Sequence, residues 1–255
     1  MKNPTRFQSL ALPIALLGIC AFFALREPAF LGSRNLTQLL VEFAITGTLA
    51  LGMFMILLTG QIDLSVGSGV GLIGGLAAVL ATQQGWPAPL ALLAGLAAAV
   101  VLWSLLGTLI VRQRIPAFII TLGGLLVFKG LFWLVIGNST VPVTRGDQDN
   151  LYSLLTTYYL PAPVGLALAA TALAACGIAA WSGRKARLAH GLPVLSAGAF
   201  ASRWTAAAAG VLGLVALCNH FRGVPLPLVI LATAAGAVHL LTRHTPVGQI
   251  GRAHV

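Results

Sequence analysis

"LLTGQIDLSVGSG", residues 57–69, interrupts almost continuous apolar sequence and holds the only carboxylate between Glu42 and Asp147. The stretches on either side, 37–59 and 64–82, are each apolar over about 20 residues, the length a helix needs to cross the hydrocarbon core of a bilayer. Reading the segment as a polar break between two spans decides the fold class, and the same pattern recurs along the chain. Further stretches at 9–25, 88–111, 115–136, 163–181, 196–218 and 224–242 bring the total to about eight spans. The chain is 58% hydrophobic and 8% charged, with a mean hydropathy of +0.95, whereas soluble domains are about a quarter charged. Ten-residue alternation of the kind a lipid-facing barrel needs is absent, so the spans are helices. The expected architecture is an all-α, polytopic transmembrane helical bundle.

The net charge of +10 is carried by short basic clusters between spans, with no interleaved aromatic platform for nucleic acid. These clusters read as orientation signals. A cytoplasmic N-terminus puts Lys2, Arg6, Arg112, Arg114, Arg184, Lys185 and Arg187 inside, with Arg243 following the last span. Arg26, Arg34, Arg145 and Arg222 then fall outside with Asp147 and Asp149, the bias that the positive-inside rule predicts. The first span has the basic start of a signal peptide, but Ile19 stands where lipoprotein cleavage needs a small residue and more spans follow, so it reads as a retained helix. Cys20, Cys176 and Cys218 lie in or at the ends of spans without paired spacing and read as packing residues.

Two longer polar connections stand out. Residues 137–165 carry Tyr152, Tyr158 and Tyr159, suited to anchoring at the interface or to docking a partner, and 181–196 carry three basic residues that serve as a topology determinant. In the third span Gly67, Gly71 and Gly75 recur every four residues, a spacing that lets helix backbones approach closely in lipid and marks this span as central. The Ala- and Leu-rich span 88–111 makes no such demand. Lys129 in the fifth span costs roughly 3 kcal/mol at the bilayer centre unless it snorkels or faces a wet cavity, and the sequence leaves both open.

Catalytic signatures are missing. No G-x-x-x-x-G-K-[ST] loop occurs, the five histidines form no compact ligand set, and there is neither a G-x-S-x-G nor a pair of intramembrane acids. No cofactor and no metal site is expected, and a transport pathway or a scaffold remains. Titratable groups within the spans are few: Glu42, Asp63 and Lys129. Glu42 sits early in its span, where solvation or Arg34 can satisfy it. Asp63 can cap the helix that follows it, worth about 1 kcal/mol, or mark a glycine-hinged helix break beside a water-filled route. Both readings stand at this point.

The segment "GQIDLSVGSGVGLIGG" (60–75) resembles the G-x-I-D-L-S-V-G signature of bacterial monosaccharide ABC transporter permeases, the ribose/xylose group related to branched-chain amino-acid permeases. "IPAFIITLGGLLVFKG" (115–130) is similar to that family's second typical segment, in the same order and spacing. "SRNLTQLL" (33–40), "AITGTLALGM" (44–53), "GWPAPL" (85–90), "YLPA" (159–162) and "NHFRGVPLPLVIL" (219–231), with the basic loop near Arg184, look like its xylose-type members. The resemblance implies a homodimeric permease of the bacterial cytoplasmic (inner) membrane. It would receive sugar from a periplasmic sugar-binding protein and be driven by a separate cytoplasmic ATP-binding cassette subunit. It also implies that Gly60, Asp63, Leu64, Ser65 and Gly67, with Pro116, Phe118, Thr121 and Gly123, shape or line the route.

Family members continue beyond "LLTRHTPVG" (240–248) into a segment that engages the ATPase and then into further spans. Residues 1–249 are therefore expected to be a permease domain incomplete at its C-terminus. "IGRAHV" (250–255), which back-translates into a common sequencing-adapter read, is expected to be an artificial tail. Two other functions compete with the importer: a proton-coupled sugar carrier titrating Asp63 or Glu42, and a membrane assembly scaffold.

Overall fold

The computed structural model describes residues 6–143 and 149–245, with side-chain placement from residue 11 onward except at His244. Arg145, Asp147 and the expected tail at 250–255 lie outside the described residues. Nine helices occur among the described residues: α1 (Arg6–Arg26), α2 (Ser33–Leu57), α3 (Val66–Thr82), α4 (Ala88–Gln113), α5 (Ala117–Ile136), α6 (Leu151–Thr157), α7 (Ala162–Ala189), α8 (Ala197–Asn219) and α9 (Leu226–His244). Two-residue strands β1 (Tyr159–Leu160) and β2 (Val224–Pro225) pair antiparallel.

Every apolar stretch of the sequence is helical, but six helices, α2, α4, α5, α7, α8 and α9, are long and apolar enough to cross a membrane. Of the other two apolar helices, α3 (Val66–Thr82) is shorter, and the side chains of the 21-residue α1 are described only over Ala11–Arg26. Against the expected eight or so, six helices meet this criterion among the described residues. For α3 the reason is local: residues 64–65 belong to the polar turn, leaving 17 residues, about 25 Å of helix against a core of about 30 Å. Large apolar side chains face outward all along the spans, Leu134 and Val111 being 77% and 76% exposed, which suits lipid and not water.

Prolines set several helix starts. Pro87, Pro116 and Pro161 stand at the N-caps of α4, α5 and α7 with φ between −56° and −52°, where the missing N–H costs nothing because the first helical turn leaves its donors unpaired anyway. Gly60 ends α2 and Gly137 ends α5, each at positive φ, the left-handed geometry that a helix C-terminus favours in glycine.

The described residues form two compact units. One comprises the chain up to Phe43 together with Tyr159–Pro225; the other comprises Ala44–Tyr158 together with the chain from Leu226 onward. In the first, α7 packs on α8, and the strand pair joins Tyr159 to Pro225 and Leu160 to Val224. Gly223 enters this pair at φ +112°, where a Cβ would overlap the Leu160 carbonyl oxygen. The Tyr159 ring meets Phe221 edge-on at 5.9 Å.

In the second unit α3 packs against α4 and α5, and α6 against α9. Only part of the four-residue stripe of α3 makes a close approach, and the tightest approach lies outside it. A Cβ on Gly67 or Gly71 would meet nothing within 4 Å, whereas one on Gly69 would lie 2.7 Å from Trp103 Cζ2 and one on Gly75 would lie 3.1 Å from the Phe132 ring. At about 100° per residue, Gly67 and Gly71 stand about 160° around the helix from Gly69, and of the stripe only Gly75, one turn beyond Gly71, reaches a partner helix, α5. Gly95 completes the α3–α4 contact, its position 3.4 Å from Ile73.

The short α6 inside the polar connection was not expected. Asn150 Oδ1 accepts from the N–H groups of Tyr152 and Ser153 at 2.9 and 3.0 Å, and Ser153 Oγ accepts from Asn150 N–H at 3.0 Å. This reciprocal capping box is a helix-start signal legible in the sequence. Tyr152 Oη donates to the Ala88 carbonyl at 3.2 Å, and burial pushes its phenol above the usual range. Tyr152 thus ties α6 to the start of α4, while Tyr158 is exposed.

Candidate functional site

Asp63 is buried, 6% exposed, in the turn between α2 and α3. Its Oδ1 accepts from Ser65 N–H at 2.7 Å and Ser65 Oγ at 2.6 Å, and its Oδ2 accepts from Trp103 Nε1 at 2.8 Å. Three short donors on one carboxylate are the arrangement that charge-assisted bonds take. The bond to Ser65 N–H, two residues on, is an Asx turn that folds the chain back just before α3. The carboxylate therefore braces the residue that starts α3 and reaches sideways to α4, and it also sits at the positive end of the α3 dipole.

Thr121 of α5 closes the other side. Its Oγ1 accepts from Leu64 N–H at 3.1 Å and lies 3.4 Å from the carbonyl oxygens of Ile62 and Phe118. The non-helical stretch from Ile62 to Ser65 cannot satisfy itself as helix does, so its polar groups need side-chain partners when buried. Thr121, 3% exposed, and Ser65, fully buried, supply them. Ser68 Oγ donates to the Ser65 carbonyl at 3.0 Å.

Trp103 is held in place from two sides. Its indole stands 5.4 Å from the Phe128 ring at 50°, and it fills the space left by the missing side chain of Gly69. A cavity of about 280 Å³ opens against this cluster, with Asp63, Trp103, Thr121, Thr59, Gln61 and Ala117 among its lining residues. An aromatic wall with a few hydroxyl, amide and carboxylate groups on an otherwise apolar lining is the composition of a small polar-ligand site. Among the described residues, no group of three or more His, Cys, Asp or Glu could hold a metal ion.

Of the residues that the sequence singled out, Asp63, Leu64, Ser65 and Thr121 come together through these bonds, and Asp63 and Thr121 line the cavity. Gly60 makes the preceding turn at φ +73° and Pro116 caps α5. Gly67, Phe118 and Gly123 face outward; Phe118 is 51% exposed, and Cβ atoms on the two glycines would meet nothing. One residue along, Gly124 is the buried one, its position 3.4 Å from Ser65 Cβ. Lys129 and Glu42 are both exposed on their helices.

Trp103, Gly69, Gly124 and Gln61 were not expected at this site. A signal for Trp103 existed: an indole N–H in the middle of an apolar span needs an acceptor, and Asp63 is the only acid between Glu42 and Asp147.

A family model described as branched-chain amino acid transport system / permease component matches residues 35–254. The chain is 36% identical over 231 residues to the xylose transport system permease protein of Escherichia coli, covering 90% of this chain and 58% of that protein. It is 33% identical over 239 residues to the xylose transport system permease protein of Haemophilus influenzae, covering 92% and 62%. It is 30% identical over 168 residues to the ribose import permease protein of Escherichia coli, covering 66% and 51%. The chain thus spans about three fifths of the length of the xylose permeases it matches. No solved structure matches it.

Proposed function

Because the chain belongs to the branched-chain amino acid transport system / permease component family, we propose that it is the membrane permease part of an ATP-driven sugar importer whose cargo is D-xylose or a related monosaccharide. The observation that carries this reading is the Asp63 cluster. The signature residues of 60–75 and the helix that begins at Pro116 meet at one buried, hydrogen-bonded helix break beside a cavity. Irregular backbone at membrane depth is tolerated where protein or a water-filled route satisfies it, and broken helices mark substrate paths in transporters. The likeness to xylose permeases supports the choice of sugar.

In this reading the permease does no covalent chemistry. Gly60, Asp63, Leu64, Ser65 and Thr121 hold the helix break, with Pro116 setting the start of α5; Trp103 gives the cavity its aromatic wall. Gly67, Phe118 and Gly123, on outward faces, shape the route through what packs against them. A separate cytoplasmic ATP-binding cassette subunit supplies the energy, and a periplasmic sugar-binding protein delivers the cargo to a permease homodimer. The protein resides in the bacterial inner membrane with its N-terminus in the cytoplasm.

The test is uptake of labelled xylose into vesicles containing this protein. Transport that requires ATP, the ATPase subunit and the binding protein is the expected result. Uptake by the permease alone refutes the proposal, and uptake collapsed by an uncoupler at constant ATP transfers it to the proton-coupled class.

A further inference from the structure

The α7–α8 hairpin carries a cluster of positive charge that the transport reading leaves unused. A rise of 1.5 Å per residue takes about 20 residues to cross the hydrocarbon core. Counted from Ala162, the start of α7, that length ends near Trp181, and the helix runs on to Ala189. The protruding turns carry Arg184, Lys185 and Arg187, and Arg203 lies early in α8. Contacts fix the hairpin register: the Trp181 ring lies 6.1 Å from Phe200, and Gly177 leaves room for Trp204. Arg203 therefore stands level with Ile178, about 9 Å nearer the membrane centre than Arg184, and reaches toward the interface by its flexible stem.

This end of the hairpin is organised. The Arg184 guanidinium lies 5.3 Å over the Phe200 ring and donates to the Leu195 carbonyl. Lys185 Nζ lies 5.8 Å from the centre of the Trp181 ring. Trp181, Arg184, Lys185 and Leu188 occupy i, i+3, i+4 and i+7, one face of the helix. Lys185, Arg187 and Arg203 are exposed, and so are Trp181, Leu188, Leu192 and Leu195. Cations mixed with exposed leucines and a tryptophan suit the headgroup boundary, where apolar bodies reach acyl chains and charges reach phosphates. A turn standing in water would leave those leucines solvated. No Asp or Glu occurs between Asn150 and Val255, so the hairpin cannot neutralise these charges itself.

We propose that this end of the α7–α8 hairpin binds the headgroup phosphates of anionic phospholipids around it, with Lys185, Arg187 and Arg203 as separate cationic contacts and Trp181 seated beside the glycerol region. Arg184 is the positioning residue that closes the turn.

The whole protein in nanodiscs of phosphatidylcholine containing increasing amounts of brominated phosphatidylglycerol gives the test. Quenching of Trp181, assigned by difference from Trp181→Phe, reports how strongly the anionic lipid is enriched at the site. Wild type is expected to prefer phosphatidylglycerol over brominated phosphatidylcholine, and each of Lys185→Gln, Arg187→Gln and Arg203→Gln is expected to lower that preference about fivefold. Lys185→Arg, which keeps the charge, is expected to preserve it. These charges can also set topology, so protease accessibility of the loop is measured on each variant, and the single substitutions, which leave most of the charge, carry the comparison if a multiple variant inverts. Equal quenching by both lipids in wild type overturns the proposal, as does a preference that survives all three single substitutions. Displacement of the lipid by millimolar inorganic phosphate overturns the commitment to a lipid source. A preference absent from the permease alone, with variants defective only when the ATPase is present, assigns the cations to a protein partner instead.

Discussion

Replacing Asp63 by Asn tests the central cluster directly. The carboxylate accepts on both oxygens, two donors on Oδ1 and one on Oδ2. An amide has one acceptor. If its oxygen faces Ser65, its NH2 group confronts the Trp103 N–H; if it faces Trp103, the Ser65 donors lose their partner. Leaving a buried donor unsatisfied costs about 1–3 kcal/mol, and at about 2–4 °C per kcal/mol for a chain of this size the midpoint of thermal unfolding should fall by about 2–12 °C. Fluorescence-detected size exclusion of heated, detergent-solubilised protein measures this. Trp103→Phe should cost a similar amount, because Oδ2 then loses its only donor. The double variant removes the donor–donor conflict, so it should be less destabilised than the sum of the singles by at least about 1 kcal/mol. Additivity within about 0.5 kcal/mol, or an unchanged midpoint for Asp63→Asn, would refute the pairing as the reason for the buried acid. Transport lost at a temperature well below the midpoint of a correctly inserted Asp63→Asn protein would show that the charge serves the route as well as the fold.

Further outcomes are measurable on the same protein. Gly69→Ala drives a methyl into the Trp103 ring and should destabilise by about 1–3 kcal/mol; Gly67→Ala, facing open space, should leave the midpoint unchanged or raise it by up to about 1 kcal/mol. Thr121→Val strands the Leu64 N–H and should cost about 1–3 kcal/mol, while Thr121→Ser keeps the acceptor and should cost markedly less in the same thermal assay. Gly223→Ala combines a positive φ with overlap on the Leu160 carbonyl, and should lower the yield of folded protein through about 1–3 kcal/mol of backbone strain.

The capping question raised by Asp63 shows how local signals fall short. An acid two residues before a helix start predicts a bond to nearby N–H groups, and the Ser65 bond supplies one. Nothing local predicts the second oxygen's partner, because Trp103 lies 40 residues away. The glycines of α3 repeat the lesson. Four-residue spacing identifies a smooth face, yet of that stripe only Gly75 meets a partner helix, and the tightest approach is at Gly69, outside it. Periodicity fixes which residues share a face and is silent on which face meets a neighbour. The capping box that starts α6 was legible, but a seven-residue helix carries too few turns for hydrophobic periodicity to reveal it.

The sequence by itself determined the solvent. With no water in the bilayer core, long apolar runs have to pair their backbone groups within helices, so helices and their approximate limits follow from composition. The glycines and acid of 57–69 likewise marked where that pairing breaks. Only the tertiary structure decided how the break is satisfied. The Leu64 N–H and the second carboxylate oxygen of Asp63 find partners on α5 and α4, far away in sequence, while Ser65 is served within the turn. Which distant donor answers a buried acceptor is set by how helices pack, and in lipid that depends on shape and close approach across the whole assembly.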